Sequence, residues 1–167
     1  MTFAFSVRKY QNNDKEYCRS LWRELTEWHR EIYQDASIGG EHPEDHFDEH
    51  LSKVGVDNLW VAVHGNEVVG LVGLIVERHD VEIEPIIVGK NYRGNGIGTK
   101  LVEAVFSEIQ KRGVRFLDVK PVARNIETIK FFHKLGFKNV GHIDLFIDFS
   151  NRTWKRGLKI HDCEFNY

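Results

Sequence analysis

Arg93-Gly94-Asn95-Gly96-Ile97-Gly98 stands where two kinds of sequence meet. Upstream, Val81-Glu82-Ile83-Glu84-Pro85-Ile86-Ile87-Val88 is rich in β-branched residues and reads as a strand. Downstream, the run to Arg112 sets Ile97, Leu101, Val105 and Ile109 on one helical stripe, and Gly113 supplies a stop. A glycine-rich turn therefore joins a strand to a helix. Its N–H groups would lie at the positive end of the helix dipole, a setting that suits phosphate. As a mere connection this turn would be costly, because each glycine adds freedom to the unfolded chain.

Outward from the turn, the chain punctuates into short elements. Phe3 to Lys9 reads as a first strand. A helix opened by Asn13 or Asp14 follows, with Cys18, Leu21, Trp22, Leu25, Trp28, His29 and Ile32 at spacings of three and four. Gly39-Gly40 marks a loop, and a short helix from about Pro43 to Val54 carries Phe47, Leu51 and Val54 on one face. Leu59–Val63 and Val68–Val76 flank the turn His64-Gly65-Asn66-Glu67 as a hairpin, with polar Arg78-His79-Asp80 before the next strand. After the helix, Val114–Val119 reads as a strand, Asn125 can cap a helix running to Leu135, and Gly136 stops it. Phe137–His142 and Ile143–Phe149 are expected as strands, with a further strand in Trp154–Tyr167. The order β-α-α-β-β-β-α-β-α-β-β predicts an α+β fold, a mixed, mostly antiparallel sheet flanked by helices. Residues 1–167 are read as one domain, a length that suits one core.

Composition narrows the function. A net charge of −2 argues against a nucleic-acid face. No apolar run approaches a membrane span, and no leader is evident, so a cytoplasmic protein is expected. Cys18 and Cys163 fit no metal or redox spacing. His42, His46 and His50 recur every four residues, yet they run beside the Phe47 and Leu51 stripe without a partner motif, so no metal is expected.

Three phosphate loops compete for the glycine turn. A dinucleotide fingerprint begun at Gly94 and Gly96 reaches Thr99 where it needs glycine. A P-loop begun at Gly89 and Gly94 meets Asn95-Gly96 where it needs lysine and a hydroxyl residue. The third pattern, Gln/Arg-x-x-Gly-x-Gly/Ala, is matched in full by Arg93–Gly98. Asn91-Tyr92 before it, and Asn125 followed by a helix ending in Leu135-Gly136-Phe137, complete a second signature in the same order. From about residue 59 to 142 the chain resembles the acyl-CoA N-acyltransferases of the GNAT superfamily; the two ends resemble them weakly.

That resemblance implies acetyl-CoA as donor and a primary amine as acceptor, on a small molecule or on a protein or peptide. The amides around Gly94, Asn95, Gly96, Ile97, Gly98 and Thr99 would cradle the pyrophosphate, with charge from Arg93. The edge of Ile86-Ile87-Val88 would meet the pantetheine amides. Asn125 resembles the residue that bonds the pantetheine arm, and Phe131 or Phe132 would line it. Attack by an amine requires its neutral form, so a base is expected. Glu84 is the first candidate and Glu82 the reserve; the two residues share a face of one strand. Phe132 falls where many relatives carry a tyrosine acid, a departure that keeps a non-catalytic acyl-CoA sensor as the alternative. Residues 35–49 hold six acids and no lysine or arginine. They would either wall a site for a cationic acceptor or form a solvated face, the plainer of the two. The aromatics Trp22, Trp28, Phe146, Phe149 and Trp154 read as core or as a homodimer contact.

Overall fold

The computed structural model describes residues 3–77, 80–150 and 152–167, so Arg78 and His79 of the expected polar separator lie outside the described residues. The chain gathers into two compact units, residues 1–120 and 121–167.

The first unit holds β1 (Ser6–Lys9), α1 (Lys15–Tyr33), α2 (Asp45–Val54), β2 (Leu59–His64), β3 (Glu67–Glu77), β4 (Asp80–Val88), α3 (Ile97–Arg112) and β5 (Asp118–Val119). The five strands lie in the sheet in their sequence order. The first four pair antiparallel, while β5 pairs parallel to β4. Asp14 ties β1 to the start of α1: its carboxylate accepts from Arg8 at 2.7 and 2.8 Å and from the Gln11 amide at 2.8 Å. Burial pushes the Asp14 pKa up, but the Arg8 and Gln11 hydrogen bonds outweigh it, leaving the group below its ordinary value.

Strand alternation gives the sheet two covered faces. Cys18 and Leu21 of α1, and Phe47 and Val54 of α2, form one core with Leu59, Val61, Leu71 and Ile87. On the opposite face Ile97, Leu101, Val102 and Val105 of α3 are buried. Gly70, one residue before Leu71, faces that helix: a Cβ there would lie 3.1 Å from Ile97 and 3.2 Å from Leu101. The expected stripe of the glycine-loop helix is thus the buried one.

β4 carries the main irregularity. Leu74 opposes Ile83 and Val72 opposes Ile86, so Glu84 and Pro85 together face the single residue Gly73. This two-against-one arrangement is a β-bulge. Pro85, which has no N–H to give a ladder, is accommodated there.

The second unit contains α4 (Ile126–Lys134) and a separate hairpin of β6 (Arg156–Ile160) and β7 (Cys163–Asn166). Asn125 caps α4, its side chain accepting from the Thr128 amide at 3.2 Å. Phe132 is 2% exposed and packs edge-on to Phe131 and Phe137. Arg124 donates to the carbonyls of Tyr167 and Thr153, tying the approach to α4 to the hairpin.

Through α4 the order of elements is the expected one, with corrections of extent; after it the strands differ. Val114–Val119 contributes only Asp118 and Val119 to a ladder. The strands expected over Phe137–His142 and Ile143–Phe149 do not form; the last two strands lie later, within Trp154–Tyr167. Ile143, Leu145, Ile147 and Phe149 do alternate, but all are exposed, Phe149 by 94%. Alternation is a property of one segment, whereas a strand needs a neighbour to share its hydrogen bonds, and none is described for this one.

Candidate active site

Backbone geometry builds the loop after β4. The Gly89 amide still bonds Val69 at 3.0 Å, extending the sheet by one residue beyond Val88. A 3-10 turn over Lys90–Tyr92 follows, and the Asn95 side chain donates to Tyr92 O at 3.0 Å. Gly94 and Gly96 both have φ of +80°, and a Cβ on either would meet nothing within 4 Å. The left-handed backbone angle, rather than crowding within the protein, therefore demands glycine there. Gly96 is the N-cap of α3, with no side chain closing it. The Lys100 amide bonds Gly96 O at 3.1 Å. The amides of Ile97, Gly98 and Thr99 precede that first helical bond and point out of the helix end. Open space, two left-handed glycines and unspent amides together suit an anion.

Arg93 does more than supply charge. Its Nε donates to the Val88 carbonyl at 3.0 Å, its guanidinium lies 3.8 Å from Glu24, and it sits over the Trp28 ring at 5.5 Å. The side chain thereby fastens the loop to the end of β4 and to α1.

Beside the loop, β4 has a one-sided edge. Its pairing with β5 covers Glu82–Asp118 and Ile83–Val119, whereas its pairing with β3 continues to Val88. Ile86, Ile87 and Val88 thus extend past the described β5 ladder, and the bulge at Glu84-Pro85 marks where the two strands part. On its β5 side, the edge of β4 from Ile86 to Val88 therefore has no described ladder partner, and it leads into the glycine turn.

The two candidate carboxylates differ. Glu82 is paired with Lys120, and its side chain is 17% exposed. Glu84 is exposed and has no ion pair among the described residues. Its charge still reaches Lys120, whose pKa is raised first by the hydrogen bond to Glu82, then by the charges of Glu82, Asp118 and Glu84. Of the two, Glu84 is the carboxylate with no ion pair among the described residues. Nothing in the sequence signalled Lys120 as the partner that separates the two; Pro85 did signal the irregular ladder.

The acidic stretch is largely neutralised from α1. Arg19 bonds Asp45 and Asp48, each at 2.6 Å; Lys15 lies 3.1 Å from Asp48; and Arg23 grips Glu44. The Arg23 hydrogen bond holds the Glu44 carboxyl down at about 2. These three acids bind α2 to α1, so this part of the stretch is neither a free cation-binding wall nor the expected solvated face. No group of His, Cys, Asp and Glu able to hold a metal occurs among the described residues. His46 contacts Glu49, whereas His50 turns into the core.

Glu82, Glu84, Ile86–Val88 and the loop through Thr99 all belong to the first unit. Asn125, Phe131 and Phe132 belong to the second, where the structure shows a cap and a phenylalanine cluster.

The sequence profile of the acetyltransferase (GNAT) family matches residues 22–137, from within α1 through α2, β2 to β5, the glycine loop, α3 and α4. The chain belongs to that family. Two curated relatives are similar to parts of this GNAT chain. An uncharacterized N-acetyltransferase of Methanocaldococcus jannaschii is 32% identical over 95 residues, 53% of this chain and 42% of that protein. N-acetylaspartate synthetase of Xenopus tropicalis is 33% identical over 88 residues, 52% of this chain and 32% of that protein. The GNAT chain therefore aligns with less than half the length of either. Among solved structures, the PaiA N-acetyltransferase of Thermoplasma acidophilum in complex with coenzyme A superposes with a TM-score of 0.68 at 18% identity, covering 81% of this chain and 90% of that one. This likeness supports the fold. No helix among the described residues is long and apolar enough to cross a membrane.

Proposed function

We propose that the protein is an N-acetyltransferase that moves an acetyl group from acetyl-CoA to a primary amine by direct attack, with Glu84 as the base. The observation that carries this reading is the anion cradle of Gly94–Thr99 set at the end of a strand edge released by a bulge. The amides of residues 94–99 and the Thr99 hydroxyl would hold the pyrophosphate. The Ile86–Val88 edge would bond the pantetheine amides, and the assignment of Asn125 and Phe131 to that arm rests on the family resemblance. Glu84, exposed beside that edge, would accept the amine's proton, directly or through water. An alkylammonium has a pKa of about 10.4, so removing that proton is the protein's first task at neutral pH. The relatives named above include an N-acetyltransferase and an N-acetylaspartate synthetase, which agrees with an acceptor nitrogen.

One observation favours a second reading, an acyl-CoA sensor. Phe132 stands where the family tyrosine acid is expected, and it is packed into a ring cluster. A thiol leaving group, with a pKa of about 8.5, can depart without that acid, so catalysis remains the reading of choice. The test is release of free coenzyme A from acetyl-CoA across a panel of primary amines, small molecules and lysine peptides included. Amine-dependent thiol release is expected. Tight coenzyme A binding with no thiol release would select the sensor.

A further inference from the structure

Glu24 is a carboxylate on α1 that neither the cradle nor the base accounts for, and it grips the glycine turn at two points. Its Oε1 accepts from the Lys90 amide at 2.5 Å and lies 3.8 Å from the Arg93 guanidinium. Lys90 opens the 3-10 turn after β4, and Arg93 is the residue that closes it. An amide that opens such a turn has no acceptor inside it, so Lys90 needs one from elsewhere. Leu21, Glu24 and Trp28 recur at spacings of three and four and therefore share one face of α1. That face meets the chain from Gly89 to Arg93 in order. A Cβ on Gly89 would lie 3.5 Å from Leu21 Cδ2, Glu24 takes the Lys90 amide, and Arg93 sits 5.5 Å from the centre of the Trp28 ring. Beyond Arg93 such support ends. A Cβ added to Gly94 or Gly96 would meet nothing within 4 Å, and the next buried residue is Ile97. The open backbone between them takes its position from its flanks, α3 on one side and the α1 grip on the other.

We propose that Glu24 is a positioning residue for coenzyme A binding: by accepting from the Lys90 amide and pairing with Arg93, it sets the turn so that the amides of residues 94–99 face the pyrophosphate. The inference rests on reading those amides as the coenzyme A cradle. A hydrogen bond from an amide to an ionised carboxylate is about twice as strong as a neutral one. A carboxylate close to a diphosphate site would also repel the ligand, and the Arg93 guanidinium offsets that charge. Of the two contacts the amide is the closer, so it carries most of the effect. A turn fixed in advance spares the ligand the entropy of ordering it.

The substitutions Glu24→Gln and Glu24→Leu separate the acceptor from the side-chain volume. Glutamine keeps a carbonyl oxygen for the Lys90 amide, whereas leucine offers none. In calorimetry, Glu24→Leu is expected to weaken coenzyme A binding about tenfold, and Glu24→Gln to recover most of that loss. In the thiol-release assay with the most active amine of the panel, the same loss is expected in KM for acetyl-CoA, with kcat changed less than about twofold. A folded Glu24→Leu protein with wild-type affinity overturns the proposal, as does an equal loss in both variants, or a fall in kcat with KM unchanged. A ¹H–¹⁵N spectrum of the wild type supplies an independent measurement that needs no variant to fold. The Lys90 amide proton is expected far downfield, as for a donor to a carboxylate, and a resonance in the range of solvated amides overturns the proposal. If the wild type binds no coenzyme A, the cradle reading fails, and this inference with it. If the wild type binds coenzyme A and Glu24→Leu binds it equally well, only this inference fails.

Discussion

The glycine loop and the Glu84-Pro85 bulge flank the same short piece of β4, yet they are built from different materials. In the loop, chemistry comes from the backbone: left-handed angles at Gly94 and Gly96, and amides left over at the start of α3. At the bulge, it is set by distant parts of the chain: Lys120 taking Glu82 and Gly73 making room. A cradle for a donor that many enzymes share can be written in six consecutive residues. The environment of a base has to be assembled from several elements.

The contrast is broken or sharpened most strongly by Glu84→Gln. It is expected to lower kcat by about a hundredfold or more while leaving coenzyme A affinity intact, as read by steady-state rates and calorimetry. Glu82→Gln, which removes a carboxylate already paired with Lys120, should cost far less. Equal losses in the two variants would undo the distinction between them. Next in size, Gly96→Val places a β-branched residue at φ +80° and reshapes the cradle. Coenzyme A binding should weaken by more than about tenfold, with the helix-dipole and amide contacts the main loss. Unchanged binding would mean that the cradle lies elsewhere.

Gly73→Ala tests whether the bulge is as exacting as the loop. The added methyl meets backbone at 2.6 Å, so a loss of about 2 kcal/mol is expected in denaturant titration, together with a fall in kcat. An alanine variant of full stability and rate would show that the bulge relaxes freely. The smallest effect belongs to the α1–α2 contact. Arg23 holds Glu44 at about 2, down from 4.5. A depressed carboxyl contributes stability above its unfolded pKa and loses it as pH falls through the folded one. The stability gap between wild type and Arg23→Gln should therefore be present at neutral pH and close between about pH 4.5 and 2, as followed by urea midpoints.

Much of the fold was legible because its signals are local. The stripe of Ile97, Leu101, Val105 and Ile109, the hairpin after His64 and the cap at Asn125 each involve neighbours within a turn or two. The segment at 137–149 misled for the complementary reason: Ile143, Leu145 and Ile147 alternate as a strand does, but pairing is decided by what lies alongside. Pro85 announced an interruption in β4, though nothing near it in sequence pointed to Gly73 as its counterpart. The acidic run at 35–49 similarly concealed its partners, since Arg19 and Arg23 lie one helix away.

By itself the sequence determined the order of elements through α4, the buried face of α3 and the glycine turn that opens it, because helical period and glycine's left-handed angles act over a few residues. Only the tertiary structure decided which carboxylate of β4 is free, why the acids of α2 are already spent, and what meets the carbonyl at the bulge. Those outcomes depend on charges and hydrogen-bonding groups meeting across dozens of residues, and on where a five-stranded sheet lets one strand leave its neighbour.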